Sequence, residues 1–321
     1  MNTAHSRSLV LIGSALVLLL VIPGWVAAQA PFGRIVVFGT SLSDSGNAFL
    51  FTQAANTPPY ADLDPLLVPG KPYAKGGHHF SNGATWVEQF ARPLGLAGNT
   101  RPAFQGSSTE ATNYAVGGAR AREDGINVNL SYQVNAFLQA FNGIAPSDGL
   151  YVIEMGSNDV RDAFVEFASD GDGGAILQGA LAAIGNNLGT LYAAGARRFL
   201  VWNVPDIGMT PAVVSLGPDA AWLGSFVTKT FNSYLDGLLA ALAGLPGIEI
   251  VKLDVFQVLH EITDDPMAFG LSVVDSACIM PDTPPFECKK PDEYLFWDGI
   301  HPTKAVHAIV AQDAAMALAR P

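Results

Sequence analysis

Five positions in this 321-residue chain could together carry out acyl transfer: Ser41, Gly118, Asn158, Asp298 and His301. That chemistry needs a nucleophile, a base that takes its proton, a group that orients the base, and donors for the oxyanion. Ser41 offers a hydroxyl. Gly118 offers a backbone N–H and Asn158 a side-chain amide. Asp298 and His301 lie three residues apart and could act as orienting acid and base. Each has a plainer reading. A serine after a strand is commonly a turn or cap residue, Gly118 commonly only turns the chain, and Asn158 could cap the helix behind it. Asp298 could bond its own turn, and a lone His301 is commonly structural. The five together, in this order, favour the chemical reading.

The elements that must position them follow from the hydrophobic pattern. Residues 34–38 form a β-branched and aromatic run that reads as a buried strand and stops at Gly39. A polar turn follows, then an apolar segment from Ala48 to Phe51 that Asp44 or Ser45 could cap as a helix. Ser41 therefore sits at the carboxyl end of the first strand, where ligands bind in open parallel α/β sheets. A weaker second strand, 111–116, ends in Gly117-Gly118-Ala119. A third, 150–154, ends in Met155-Gly156-Ser157-Asn158-Asp159, with a helix from about Val160. Strands at 198–204 and 248–253 alternate with helices at 85–94, 131–142, 175–194 and 220–243. Strand and helix in alternation imply a parallel sheet covered on both faces. Pro302 suits the first turn of a last helix, so His301 is held at a helix mouth. The irregular stretch 56–81, rich in Pro, Gly and aromatics, is either one wall of a substrate pocket or an ordered surface loop with His78 and His79 on the surface.

The first residues are set apart from the fold. His5 and Arg7 precede an apolar run from Leu9 to Ile22, and Val26-Ala27-Ala28 supplies small residues for cleavage. Residues 1–28 are expected to be a signal peptide, cleaved after Ala28. A retained anchor is the alternative, but the apolar core is short for a span. Residues 29–321 are then a single domain. With Pro321 just after the last helix, no translocator barrel is expected, and the protein should be secreted or periplasmic, with no stable membrane anchor. Taking Arg7 from the 17 basic residues leaves 16 against 29 acidic ones, a net charge of −13. That balance argues against nucleic acid and anionic membrane surfaces as partners. The cysteines Cys278 and Cys288 are expected to form a disulfide in an exported protein, the alternative being two free thiols. A metal site is not expected. There is no CxxC, and His260-Glu261 is followed by Asp264 rather than a second histidine.

Four segments resemble the SGNH/GDSL esterases and lipases. Gly39-Thr40-Ser41-Leu42-Ser43-Asp44-Ser45-Gly46-Asn47 is similar to the first block of that family, and Asn113-Tyr114-Ala115-Val116-Gly117-Gly118-Ala119 to the second. Gly156-Ser157-Asn158-Asp159 is similar to the third, and Asp298-Gly299-Ile300-His301-Pro302-Thr303 to the last. Phe80-Ser81-Asn82-Gly83-Ala84-Thr85-Trp86 also resembles a segment of the longer secreted members. The likeness runs from about residue 34 to 318. It implies a three-layer α/β/α fold with a five-stranded parallel sheet in flavodoxin-like order 2-1-3-4-5. It implies Ser41 as nucleophile, Asp298 and His301 as the rest of a triad, and an oxyanion hole from Ser41, Gly118 and Asn158. The substrate would be a small-molecule or lipid ester, and no metal or organic cofactor is called for. One position departs: the family's usual Asp before the serine is Thr40 here. That change is expected to alter turn stability or substrate fit rather than the chemistry.

The expected activity is hydrolysis of short- to medium-chain acyl esters. A phospholipase or a carbohydrate deacetylase on the same site is the alternative, and an inactive exported binding protein the remote one. A nucleotide-binding domain resting on Gly117-Gly118 is disfavoured because no GxGxxG follows. An α/β-hydrolase is disfavoured because no G-x-S-x-G occurs.

Overall fold

A computed structural model describes residues 31–106 and 109–320 of the chain. The expected signal peptide lies outside the described residues. Four parallel strands, β1 (Arg34–Gly39), β2 (Gly149–Glu154), β3 (Arg198–Trp202) and β4 (Glu249–Leu253), stand side by side in that order. Residues that alternate along a strand point to opposite faces. Val36, Phe38, Tyr151, Ile153, Phe199 and Val201 face one apolar layer, and Ile35, Val37, Leu150, Val152, Leu200 and Trp202 face the other. Burial on both faces explains why these strands are near-continuous apolar runs.

The helices follow the chain as α1 (Asn47–Thr52), α2 (Trp86–Ala91), α3 (Leu130–Ala140), α4 (Ser157–Ala168), α5 (Gly173–Ala193), α6 (Pro211–Val214), α7 (Pro218–Leu242), α8 (Val255–Asp264) and α9 (Lys304–Ala319). Apolar residues of α3, α4, α5 and α7 cover the first face, and those of α2, α8 and α9 cover the second. The three-layer parallel architecture is the expected one. A small parallel pair outside the main sheet, β5 (Val273–Ala277) and β6 (Tyr294–Phe296), was not anticipated.

The main sheet has four strands rather than five. The segment expected as the second strand does run beside the free edge of β1, in the expected place. Val37 N–H donates to Thr112 O at 2.9 Å, Tyr114 N–H to Val37 O at 2.8 Å and Val116 N–H to Gly39 O at 3.1 Å. Side chains take the remaining rungs. Asn99 Oδ1 accepts from Ile35 N–H at 3.1 Å, and Gln133 Oε1 accepts from Gly39 N–H at 2.9 Å. The ladder is thereby reduced to a single bridge, Val37 to Asn113. The order 2-1-3-4-5 survives as a path of the chain, with its first member an extended segment.

Candidate active site

Ser41 follows β1 in a turn built by buried polar groups. Asp44 is fully buried, and its carboxylate accepts the N–H groups of Gly46 (2.7 Å), Asn47 (2.6 Å) and Ala48 (3.0 Å). These are the orphan amides at the start of α1, so Asp44 caps that helix. The same carboxylate accepts Gly117 N–H at 2.8 Å and ties the serine turn to the glycine turn. Burial nevertheless pushes the Asp44 carboxyl above its ordinary value. Asn113 and Asn47 knit the two segments further: Asn113 Nδ2 donates to Ser43 O at 2.8 Å, and Asn47 Nδ2 donates to Asn113 O at 2.8 Å and Ala115 O at 2.9 Å. Two stretches about 70 residues apart in the chain thus become one polar unit at the sheet edge.

His301 Nε2 lies 2.8 Å from Ser41 Oγ. His301 Nδ1 lies 2.8 and 3.1 Å from the two oxygens of Asp298. With Asp298 Oδ accepting at Nδ1–H, the tautomer leaves Nε2 free to accept the serine proton. Asp298 is fully buried and its carboxylate is saturated with donors. Oδ1 accepts Ile300 N–H at 2.9 Å and His301 N–H at 2.7 Å, and Oδ2 accepts Tyr73 O–H at 2.9 Å. Burial and the charge of Asp298 push the Tyr73 phenol far above its ordinary range, so it remains a donor. Phe80 packs on the His301 ring at 5.4 Å between centroids.

Backbone bonds clamp this arm from several directions. Gly299 N–H donates to Leu67 O at 2.9 Å, Ala212 N–H to Gly299 O at 2.9 Å, and Trp297 N–H to His301 O at 2.8 Å. Cys278 and Cys288 form a disulfide, and the N–H groups of Cys278 and Ile279 donate to Phe296 O (3.0 Å) and Trp297 O (2.9 Å). The disulfide belt, Tyr60, Tyr73 and Trp297 make a separate apolar cluster beneath Asp298.

The oxyanion candidates fall on the neighbouring loops. Gly118 has φ +83°, a left-handed conformation that suits glycine, while a Cβ at Gly117 would meet the Phe80 ring at 2.1 Å. Among the described residues, the N–H groups of Ser41 and Gly118 have no hydrogen-bond acceptor. Asn158 lies in the first turn of α4, and its Nδ2 donates to Ala119 O at 2.8 Å, which orients the amide and leaves its second N–H. Asp159 is buried beside it and accepts Ala121 N–H at 2.8 Å, so neighbouring residues of α4 both tie it to the Gly118 loop.

Ser41, Asn158 and His301 open onto one cleft of about 960 Å³, measured out to its mouth. Its depth is apolar, with Trp202, Val255, Val258, Leu259, Leu295 and Val310 among its lining residues. Arg161 lines it one helical turn beyond Ser157, half-buried, and among the described residues its guanidinium makes no salt bridge or hydrogen bond. Burial pulls its guanidinium below the ordinary value. Residues 56–81 reach the site from behind the cleft, through Tyr73 on Asp298, Leu67 on Gly299 and Phe80 on the His301 ring. Nor is His79 a surface residue: it is buried, with Nε2 2.9 Å from Glu88, and His78 stacks on Phe49.

Two contributors were missed in the sequence. The stripe Val255, Val258, Leu259, Ile262 has helical spacing and would have marked α8 as a cleft wall. Tyr73 carries no local signal, because it lies 225 residues from the aspartate it supports.

The serine, histidine and aspartate are bonded in line at the carboxyl edge of the parallel sheet, an arrangement suited to acyl transfer. The model of the GDSL-like Lipase/Acylhydrolase family matches residues 35–314, and the chain belongs to that family. A GDSL esterase/lipase of Arabidopsis thaliana is 27% identical over 318 residues, covering 86% of this chain and 89% of the relative. A phosphatidylcholine-sterol acyltransferase of Aeromonas hydrophila is 27% identical over 331 residues, covering 90% of each. The chain is an ester-hydrolysing enzyme. No helix among the described residues is long and apolar enough to cross a membrane.

Proposed function

We propose that the protein is an exported serine carboxylesterase/lipase that cleaves short- to medium-chain acyl esters through Ser41, His301 and Asp298. The observation that carries this reading is the 2.8 Å approach of His301 Nε2 to Ser41 Oγ, with Asp298 on the other ring nitrogen. His301 takes the Ser41 proton as Oγ attacks the ester carbonyl. The N–H groups of Ser41 and Gly118 and the Asn158 amide bind the oxyanion. His301 then protonates the departing alcohol and leaves an acyl-Ser41 ester. In the second half His301 deprotonates water, which attacks that ester, and the proton returns to Ser41 as the acid leaves. The apolar depth of the cleft suits an acyl chain. The export reading rests on residues 1–28 and makes Gln29 the mature amino terminus, which terminal sequencing of the exported protein checks.

The test is hydrolysis of p-nitrophenyl esters from acetate to palmitate by wild type and Ser41→Ala. Wild type should cleave, with a maximum at short to medium chains, and Ser41→Ala should lose activity. Equal rates from both would overturn the reading.

A phospholipid ester is the second reading, favoured by Arg161. This cation lines the cleft beside Asn158, and among the described residues no carboxylate lies within ion-pair distance of it, although Asp162 and Asp64 act on its charge from farther off. It would suit the phosphate of a phospholipid headgroup, and one relative is named for phosphatidylcholine. Arg161→Gln should weaken hydrolysis of a phospholipid while leaving a neutral ester of the same chain length unchanged. Equal losses on both would remove this second reading.

A further inference from the structure

Outside the triad, a second buried carboxylate besides Asp44 touches the serine turn: Glu154, the last residue of β2. It is 1% exposed. It accepts Thr40 N–H at 2.8 Å and Thr40 O–H at 2.9 and 3.1 Å, and it also takes a hydrogen bond from the Ser43 hydroxyl. Ser43 Oγ in turn accepts the indole N–H of Trp86 at 2.9 Å. A Cβ at Gly39 would come within 2.9 Å of the Glu154 carboxylate, so the approach needs glycine there. Among the described residues no cation is within ion-pair distance of Glu154. Its charge is held only by donors of one turn, from the residue before Ser41 and the second residue after it.

We infer that Glu154 is the positioning residue of the nucleophile turn, its ionised carboxylate holding Thr40 and Ser43 so that Ser41 is directed at His301; this rests on the proposed role of Ser41. A carboxylate only accepts, and its three partners present themselves as donors. Protonation makes one oxygen a donor facing hydroxyls that already donate to it. Thr40 or Ser43 must then rotate, and the turn loses its shared anchor. Burial raises the Glu154 carboxyl to about 7, so this change falls where an esterase works. The groups facing it are Gly39 and Thr40 at the end of β1, Ser43 from the turn, and Trp86 of α2 through Ser43, and no charged group acts on it. None of these titrates near neutrality. Asp44, the other buried acid of the turn, bonds the amides of Gly46, Asn47, Ala48 and Gly117 instead. The threonine at position 40 also gains a reason: an acid there would set a second charge against Glu154, whereas a hydroxyl satisfies it.

The experiment is the pH profile of kcat/KM on p-nitrophenyl butyrate for wild type, Glu154→Gln, Thr40→Asp, the double variant and Ser41→Ala. The wild-type acid limb should carry an extra drop of about tenfold, beyond that of a single ionisation, as Glu154 takes up its proton. Glu154→Gln should flatten it to about tenfold per unit, lower kcat about tenfold at high pH, and leave KM within about twofold. Thr40→Asp should move the acid limb up by about one pH unit, because neighbouring carboxylates resist joint ionisation. Adding Glu154→Gln should move it back. A Glu154→Gln profile of wild-type slope and height, with Ser41→Ala silent, overturns this inference alone. If Glu154→Gln does not fold, Thr40→Asp decides, and an unmoved limb overturns it. A Ser41→Ala enzyme that still turns over removes the reading of Ser41 and this inference with it.

Discussion

Ser41 and Asn158 leave the ends of β1 and β2, neighbouring strands of a sheet whose core residues are packed from both faces. Asp298 and His301 lie in a stretch where only Tyr294–Phe296 is strand, and that strand belongs to a separate two-stranded pair. The sheet side is held by a repeating pattern of backbone bonds and alternating apolar residues. The base side is held by single contacts that can be named: Tyr73 on Asp298, Leu67 on Gly299, and the Cys278–Cys288 bridge. Where positioning is periodic, the loss of one contact is shared. Where it is assembled from individual contacts, each loss should reach the reacting atoms.

The comparison is tested most strongly at Asp298. Asp298→Asn should lower kcat by about 10⁴, because the amide disfavours the tautomer that accepts the serine proton; single-turnover rates measure it, and retained activity would break the base arm's role. On the sheet side, Asn158→Ala should cost about 10²–10³ in kcat with little change in KM. Removing the disulfide with Cys278→Ser/Cys288→Ser should cost about 2–3 kcal/mol in denaturant unfolding. Amide exchange should then quicken in 278–303 before it does in β1–β3. Equal quickening in both would erase the distinction drawn here.

Tyr73→Phe leaves the buried Asp298 short of one donor. A loss of about tenfold in kcat and about 1 kcal/mol in stability is expected, read from steady-state kinetics and melting of the same sample. The smallest effect concerns His307 of α9, buried at the cleft lining, whose Nδ1 has no partner among the described residues. Burial lowers its imidazole to about 3. The neutral form is favoured by the fold, so this contribution to stability is full above the unfolded value near 6.5 and is lost as pH falls from there toward 3. His307→Leu should flatten the acid side of the melting-temperature profile, by about 1 kcal/mol near pH 5.5. An unchanged profile would separate α9 from the acid sensitivity of the molecule.

The buried strands were legible because a run such as Val36-Val37-Phe38 admits few other states, and β1 to β4 begin and end within a few residues of the expected bounds. The helix carrying the cleft wall was legible in principle through its apolar stripe. The missing fifth strand was not legible. Its apolar and polar residues resemble a weak strand, and only the arrival of Asn99 and Gln133 from elsewhere replaces the ladder bonds. The placement of His301 at a helix mouth, two residues before the end of the Asp298–Thr303 motif, came from Pro302 and the apolar spacing behind it.

The chain's order of residues, read along its length, was enough for the alternation of strand and helix, the family likeness and the five candidate positions. Those depend on local pattern and short motifs, which are properties of neighbours in the chain. Contact across hundreds of residues is of another kind. That His301 meets Ser41 across 260 positions, that Tyr73 supports Asp298, that Glu154 seats against Thr40, and that Arg161 lines the cleft all follow from how packed layers and loops close in space. The physical reason is that these bonds depend on burial and direction. Both exist only once the apolar faces of the sheet have been covered and the loops at its carboxyl edge have been drawn together.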